Sequence, residues 1–462
     1  MIPIIVYILT NNERRKVKVD ETIKNIEVGK SVNETNQSIL YGVEDKPPLL
    51  MSILLGFQHI LAAFGGIVAV PLVVGGALGL NIQDISYLVS AAIFVAGVAT
   101  IIQSRGIGPV GARVACVMGT DFTFVAPSIA VGSTLGLPGI FGGTILGSFI
   151  EIIISRFIKP LMKIFPPIVT GTVVTLIGIT LLPVAIDWAA GGYGSPTYGS
   201  LLNISIAISV MILIILLNRY AKGLISSAAV MIGIIFGYII SYPFGLLNFG
   251  EVANASWLEL PTIFKYGVDF SLAAVVPFVA AYLVTSIETV GCLKAIGEAS
   301  GKDLTDKEIG AGLLADGIGS TIAGFFGAGA NTSFSQNVGL IPMTRVASRH
   351  VVVVSGIILL ILGIFPKLGA LIAIMPAPVL GGAGIIMFGM VASSGIKTIS
   401  RVEMNNRNLL ILAVSIGLGL GVTVRPEIIS NLPSGLRLLF SSGISTGTIT
   451  ALLLNIILKE EK

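Results

Sequence analysis

Residues 331–342 read Asn331-Thr332-Ser333-Phe334-Ser335-Gln336-Asn337-Val338-Gly339-Leu340-Ile341-Pro342 and follow Gly324, Gly327 and Gly329. Polar side chains crowd here between apolar stretches, where an uninterrupted membrane helix would be apolar. A second segment of this kind lies far upstream: Gly111-Ala112-Arg113-Val114-Ala115-Cys116-Val117-Met118-Gly119-Thr120-Asp121-Phe122-Thr123-Phe124, ending near Pro127. Both contain Thr-x-Phe-[Ser/Thr], at Thr120 to Thr123 and Thr332 to Ser335. Unpaired backbone groups cost several kcal/mol in hydrocarbon, so non-helical backbone is tolerated there only when buried in protein or lining a wet cavity. Each segment is therefore expected to be a short extended stretch followed by a half-helix, its positive amino-terminal end aimed at a midplane cavity.

The rest of the chain supplies the membrane setting. Of 462 residues, 54% are hydrophobic and 11% charged, with 56 glycines and 21 prolines, and the mean hydropathy is +0.95. A soluble domain carries about 25% charged residues, and Gly and Pro are enriched in membrane helices. Disorder, collagen and coiled coil are excluded. Cys116 and Cys292 lie in apolar stretches and offer neither a disulfide framework nor a CxxC metal site. The net charge of +4 makes no case for a nucleic-acid partner.

A helix needs about 20 mostly apolar residues to cross a bilayer. Fourteen candidates emerge, at 52–74, 85–104, 112–130, 136–157, 167–187, 200–217, 224–246, 270–293, 308–326, 332–345, 350–365, 369–391, 407–424 and 442–458. Cytoplasmic loops collect Lys and Arg. With the amino terminus inside, 24 of the 28 basic residues fall on the inner side, leaving Lys265, Lys367, Arg425 and Arg437 outside. Moving one early span would scramble that division, so both termini are expected to be cytoplasmic. Residues 1–48 hold seven basic and seven acidic residues and read as a cytoplasmic extension. The apolar opening, Met1 to Leu9, is too short to span and lacks the marks of a cleaved signal peptide.

Fourteen spans divide into seven and seven, and the odd number inverts the second half. Transporters built this way bind substrate near paired Gly- or Pro-interrupted segments. The polar segments above are the third span of each half.

Ionisable groups at membrane depth are costly and mark candidate function. His59, Asp121, Glu288 and Asp316 lie near the middle of spans; Glu151, Asp187 and Glu308 lie closer to ends. Glu288 stands in Tyr282-Leu283-Val284-Thr285-Ser286-Ile287-Glu288-Thr289-Val290-Gly291, with no basic residue nearer than Lys294. A lone carboxylate there suits proton-coupled substrate binding, against a purely structural role bonded to backbone. His59 reads either as a structural hydrogen-bonding group or as a ligand. Asp316 reads either as a proton relay or as a cap for the tenth segment, and Asp121 neighbours the expected cavity. Gln336 carries a donor and an acceptor on one planar amide, a match for the edge of a nucleobase. Phe334 could stack on a flat ring.

The run Gln336-Asn337-Val338-Gly339-Leu340-Ile341-Pro342-Met343-Thr344-Arg345 resembles the signature of the nucleobase-ascorbate transporter family, [Gln/Glu/Pro]-Asn-x-Gly-x4-Thr-[Arg/Lys/Gly]. Support comes from Tyr41-Gly42-Val43-Glu44-Asp45-Lys46-Pro47-Pro48, Gln58-His59, Ser286-Ile287-Glu288 and Ala315-Asp316-Gly317. The resemblance covers roughly residues 41–458.

It implies an all-α polytopic importer with fourteen spans in a seven-plus-seven inverted repeat. Residues 49–160 and 270–365 would form a core domain, 161–269 and 366–458 a gate domain, and 459–462 a cytoplasmic tail. Substrate would lie between core and gate, Glu288 accepting from ring N–H groups and Gln336 reading another edge. Backbone near Phe122 and Ser335 and the ring of Phe334 would complete the site, with Asp121 beside it. His59, Asp316 and Asn337 would support the site or proton coupling. A homodimer through the gate and a plasma-membrane location are also implied.

Gln at the first signature position accompanies purine carriers in the family, so xanthine or uric acid is the expected substrate. No cofactor is expected; the coupling ion is the proton, with sodium as the alternative. Two positions depart from the purine carriers: Cys292 stands where Asp is frequent one turn after the glutamate, and Asp121 where a small polar residue or Asn is commoner. The alternatives are a uracil or other nucleobase permease and a same-fold sulfate-type anion carrier, whose half-helix ends would hold the anion. An enzyme is not expected, since no His-Glu-x-x-His, Gly-x-Ser-x-Gly or Ser/Lys dyad is present.

Overall fold

The computed structural model describes residues 39–158, 160, 165–433, 436–437, 440 and 442–458. The expected amino-terminal extension, as far as residue 38, and the tail 459–462 lie outside the described residues. Chain contacts separate Met1–Leu40 from Tyr41–Lys462, and every described helix and strand belongs to the second unit.

The main elements are α1 (Leu49–Ala77), α2 (Ile82–Arg105), β1 (Met118–Thr120), α3 (Val125–Ile154), α4 (Pro167–Ala189), α5 (Leu201–Tyr220), α6 (Ala229–Ser241), α7 (Leu272–Ser300), α8 (Asp306–Phe326), β2 (Asn331–Ser333), α9 (Arg349–Gly363), α10 (Ala377–Ile399), α11 (Asn406–Val424) and α12 (Gly443–Ile457). Nine of the described helices are long and apolar enough to cross a membrane. Arg349–Gly363 and Pro366–Ala373, bent by 81° to each other, qualify only as a pair, and Ala229–Phe244 and Gly443–Ile457 are shorter apolar helices.

Local chemistry sets the ends. Asn81 caps α2 by accepting from the Asp84 amide at 2.8 Å. Thr305 and Glu308 form a reciprocal capping box on α8, which satisfies two amides that have no partner within the helix. Gly136 interrupts α3 at φ 66°, two residues before Pro138, so the 30-residue helix is bent into two segments. The Gly-Leu-Pro sequence explains this, because Pro138 cannot donate and Gly136 adopts the left-handed φ without strain. The twelfth candidate span, 369–391, is not one continuous helix. The structure starts α10 at Ala377, after Pro376, and gives Pro366–Ala373 to a separate short helix. A proline favours the first turn of a helix, so each of the two helices starts at its own proline.

The two polar segments leave helical geometry where expected, with one feature that periodicity does not disclose. β1 and β2 pair with each other, antiparallel, in the register Met118 with Ser333, Gly119 with Thr332 and Thr120 with Asn331. Their backbone groups are thereby satisfied away from water. Short half-helices follow both: Phe122–Phe124 runs into α3, and Ser335–Gly339 runs into Leu340–Thr344.

Helices pack closely around this pair. α2 lies on α9, α3 on α7 and α8, and α4 on α10. A Cβ on Gly178 of α4 would stand 2.3 Å from the Ala392 amide nitrogen of α10, so glycine is what lets these backbones approach.

Candidate functional site

The carbonyl oxygen of Ile67 in α1 accepts from Thr120 Oγ1 at 2.8 Å, anchoring the end of β1. The Asp121 carboxylate caps the next turn, its Oδ1 accepting from the Thr123 amide at 2.8 Å. On the other segment, Thr332 Oγ1 lies 2.9 Å from Thr285 Oγ1, and Thr285 stands one turn before Glu288 on α7. The first turns of both half-helices and the middle of α7 therefore meet at one point.

A small cavity of about 30 Å³ lies there, walled by Asp121, Phe122, Glu288, Phe334 and Gln336 on one side and by Val174, Ile177 and Val391 on the other. A larger cavity of about 430 Å³ shares Phe122, Val174, Glu288, Gln336 and Val391 and adds Ser335. Glu288 is partly exposed, and Ser335 and Gln336 are exposed, whereas Asp121, Phe122 and Phe334 are buried. The ring of Phe334 lies over Gly66 and Gly119, where a Cβ would come within 3.0 Å and 2.8 Å of it. Phe122 meets Phe388 of α10 edge to face, with centroids 5.2 Å apart. The chamber thus offers two carboxylates, Asp121 and Glu288, a primary amide and two aromatic rings between polar broken segments and an apolar helical wall. Such a set fits a flat solute with N–H and C=O groups on its edges.

Three further residues singled out from the sequence line neither cavity. Asn337 is buried, and its Nδ2 lies 2.8 Å from the His59 carbonyl oxygen and 3.1 Å from His59 Nδ1. His59 is buried with it, and the pair joins α1 to the second half-helix. Asp316 is wholly buried on α8. Its oxygens accept from Ser333 Oγ at 3.1 Å, from Gln103 Nε2 at 3.3 Å and from the Thr289 hydroxyl, tying β2, α2 and α7 together.

A Permease family model matches residues 50–428. The chain belongs to the nucleobase-ascorbate transporter family. Among relatives, it is 58% identical to the Clostridium perfringens protein CPE0397, provisionally named a purine permease, over 93% of this chain and 95% of that one. It is 43% identical to the uric acid transporter UacT of Escherichia coli, over 87% and 85% of the two chains, and 43% identical to the xanthine permease of Bacillus subtilis, over 87% and 92%. The transmembrane domain of the cyanobacterial bicarbonate transporter BicA superposes with a TM-score of 0.57 at 16% identity, covering 85% of this chain and all of that one. SLC26A9 superposes with a TM-score of 0.57 at 13% identity, over 87% and 65%. These two structures share the fold. The family and the apolar helices together make this an integral multi-pass membrane protein.

The apolar wall has no signature in the sequence. Val174, Ile177 and Val391 look like any other positions of two apolar helices, and nothing local marks them. Gln103 and Thr289, which support Asp316, do carry a usable signal, since each is a polar residue inside an apolar run, but sequence reasoning does not single them out.

Proposed function

We propose that this chain imports an oxidised purine, xanthine or uric acid, across the plasma membrane together with protons. The observation that carries the reading is the chamber in which Glu288 and Gln336 face one space beside Phe122 and Phe334. A carboxylate accepts from ring N–H groups, an amide both donates and accepts, and rings cover a planar face. The names of the bacterial relatives favour the same substrates. Glu288 argues against a sulfate-type anion, which would meet a like charge.

In this reading the chain crosses the membrane fourteen times as two inverted sevens, with both termini in the cytoplasm. The packing supports it. Exchanging the two halves turns the α2·α9 contact into the α8·α3 contact, and it returns β1·β2 and α4·α10 to themselves. Residues 49–160 and 270–365 form the core that holds the polar segments, and 161–269 with 366–458 form the gate that supplies Val174, Ile177 and Val391. Substrate lies between them. Movement of core against gate exposes it alternately to either side, and a gate anchored in a homodimer gives the core something to move against.

Uptake of labelled xanthine, uric acid, uracil and guanine into cells expressing the protein, with and without a protonophore, tests this. Saturable xanthine or uric acid uptake abolished by the protonophore is expected. Sodium-dependent, protonophore-insensitive uptake overturns the coupling, and inhibition of uptake by sulfate favours the anion reading.

A further inference from the structure

Glu151 lines neither substrate cavity, yet it is the strangest carboxylate in the fold. It lies one turn from the end of α3, wholly buried, and neither of its oxygens has a hydrogen-bond partner among the described residues. The neighbouring turns fix where it points. Gly147, one turn earlier, lies under the ring of Tyr282 on α7, where a Cβ would come within 2.6 Å. Ser148 Oγ is 2.7 Å from Thr321 Oγ1 on α8, and Gly317 of α8 rests on the Ile152 amide. Position 151 follows Gly147 and Ser148 by one turn, so its side chain enters the seam between α7 and α8. The titratable groups close enough to act on its charge are Tyr282 on α7, Asp316 on α8 and, from the first polar segment, Asp121; Glu288 and Cys292 lie further along α7. None is a cation.

Two connections leave this point. On one side, Asp316 accepts from the Thr289 hydroxyl, Thr289 Oγ1 is 3.3 Å from Thr332 Oγ1, and Thr332 lines the small cavity beside Glu288. On the other, Ser155, one turn beyond Glu151, and Leu314, on the same seam of α8, line a separate open cavity of about 740 Å³. Its charged lining is mixed: Arg113, Arg156 and Lys307 against Asp306 and Glu308. An ionised Glu151 would need a cation or donors to offset its desolvation, while its neutral form needs far less.

Resting on the proton-coupled reading above, we propose that Glu151 is a proton-carrying residue of the transport cycle. It is the last carboxylate on a route that leaves the substrate chamber through Thr332, Thr289 and Asp316 and reaches the basin beside Ser155, apart from the substrate's own path. In the proposed step Glu151 gives its own carboxyl proton to water in the basin as the Asp316 proton arrives at its other oxygen, so that Glu151 stays neutral and Asp316 is left as a carboxylate, to be reprotonated from the substrate chamber through Thr289. The route also gives the chain a second coupling carboxylate where Cys292 occupies the position at which purine carriers of the family frequently carry Asp.

The full-length protein in proteoliposomes provides the test, using labelled xanthine and uric acid as probes. Accumulation driven by an imposed pH gradient is compared with counterflow exchange without one, across a range of pH, for wild type, Glu151→Gln and Glu151→Asp. Expected is a loss of about tenfold or more in driven accumulation for Glu151→Gln, with counterflow within about twofold of wild type and a flattened pH profile. Glu151→Asp should restore part of the accumulation. Driven accumulation by Glu151→Gln equal to wild type overturns the proposal. So does an equal loss of counterflow and accumulation in both variants, or failure of both to fold, which marks a structural role. If wild type itself accumulates without a pH gradient, the coupling reading fails instead.

Discussion

Asn337 holds His59 twice, through one amide nitrogen that reaches both the backbone carbonyl, at 2.8 Å, and the ring Nδ1, at 3.1 Å. Gln336, beside it in the chain, faces the larger cavity. The residue that faces the cavity is therefore held in register by its neighbour's bond to a different helix. Replacing Asn337 with Ala leaves the buried His59 carbonyl on α1 without that donor and the ring Nδ1 without that partner. The expected cost is about 1–3 kcal/mol of stability, together with weakened xanthine binding. Thermal unfolding in detergent and equilibrium binding measure the two effects.

Glu288→Gln replaces one carboxylate acceptor with a donor at nearly constant shape. Hydrogen bonds to a charged group are worth about 1.5–3 kcal/mol, so purine affinity should fall by about 10- to 100-fold. Competition binding against labelled xanthine or uric acid checks this. Unchanged affinity would remove Glu288 from the site.

Gln336→Glu changes the edge presented to the ligand from donor plus acceptor to acceptors alone. The expected outcome is weaker purine uptake and a fall in the ratio of xanthine to uracil uptake. A competition series in whole cells reads the ratio directly.

Gly119→Ala tests the role of the Phe334 ring. The added Cβ would come within 2.6 Å of Ile67 Cγ1 and 2.8 Å of Phe334 Cζ, so one of these must move. Overpacking of this kind costs about 1–3 kcal/mol. Purine affinity should fall more in this variant than in Gly417→Ala on α11, where nothing lies within 4 Å.

Outside the membrane, the Arg349 guanidinium donates from Nε at 2.9 Å and from Nη2 at 2.7 Å to Glu44 Oε2, holding that carboxyl below its ordinary value. A depressed folded value contributes stability that is present above the unfolded value of 4.5 and is lost as pH falls through the folded one. Glu44 is largely exposed, so the contribution is below about 1 kcal/mol. Glu44→Gln should lower the melting temperature slightly at about pH 7, and the difference from wild type should shrink as pH falls below 4.5, as thermal unfolding across that range would show.

The site positions legible in the sequence share a physical cause. Thr332, Ser335, Gln336 and Asn337 stand out because every polar group at membrane depth carries its own desolvation cost, and that cost is visible residue by residue. Glu288 is conspicuous for the same reason. Val174, Ile177 and Val391 carry no such cost and look like lipid-facing or core residues until helices are set against each other. Glu151 is legible as an intramembrane acid, but its lack of a hydrogen-bond partner among the described residues is a property of three helices at once.

Composition, charge asymmetry and local polarity are summed along one dimension, and they suffice to put the chain in the bilayer and to mark where two of its segments must abandon the helix. They also pick out the side chains able to meet a flat polar solute. Three outcomes came only with the folded arrangement: β1 satisfies β2 in a fixed register, Asn337 finds His59, and the wall of the chamber opposite the broken segments is apolar. Each depends on which helix faces come together. Close packing through residues such as Gly178 fixes that choice, and an apolar side chain carries no record of its partner.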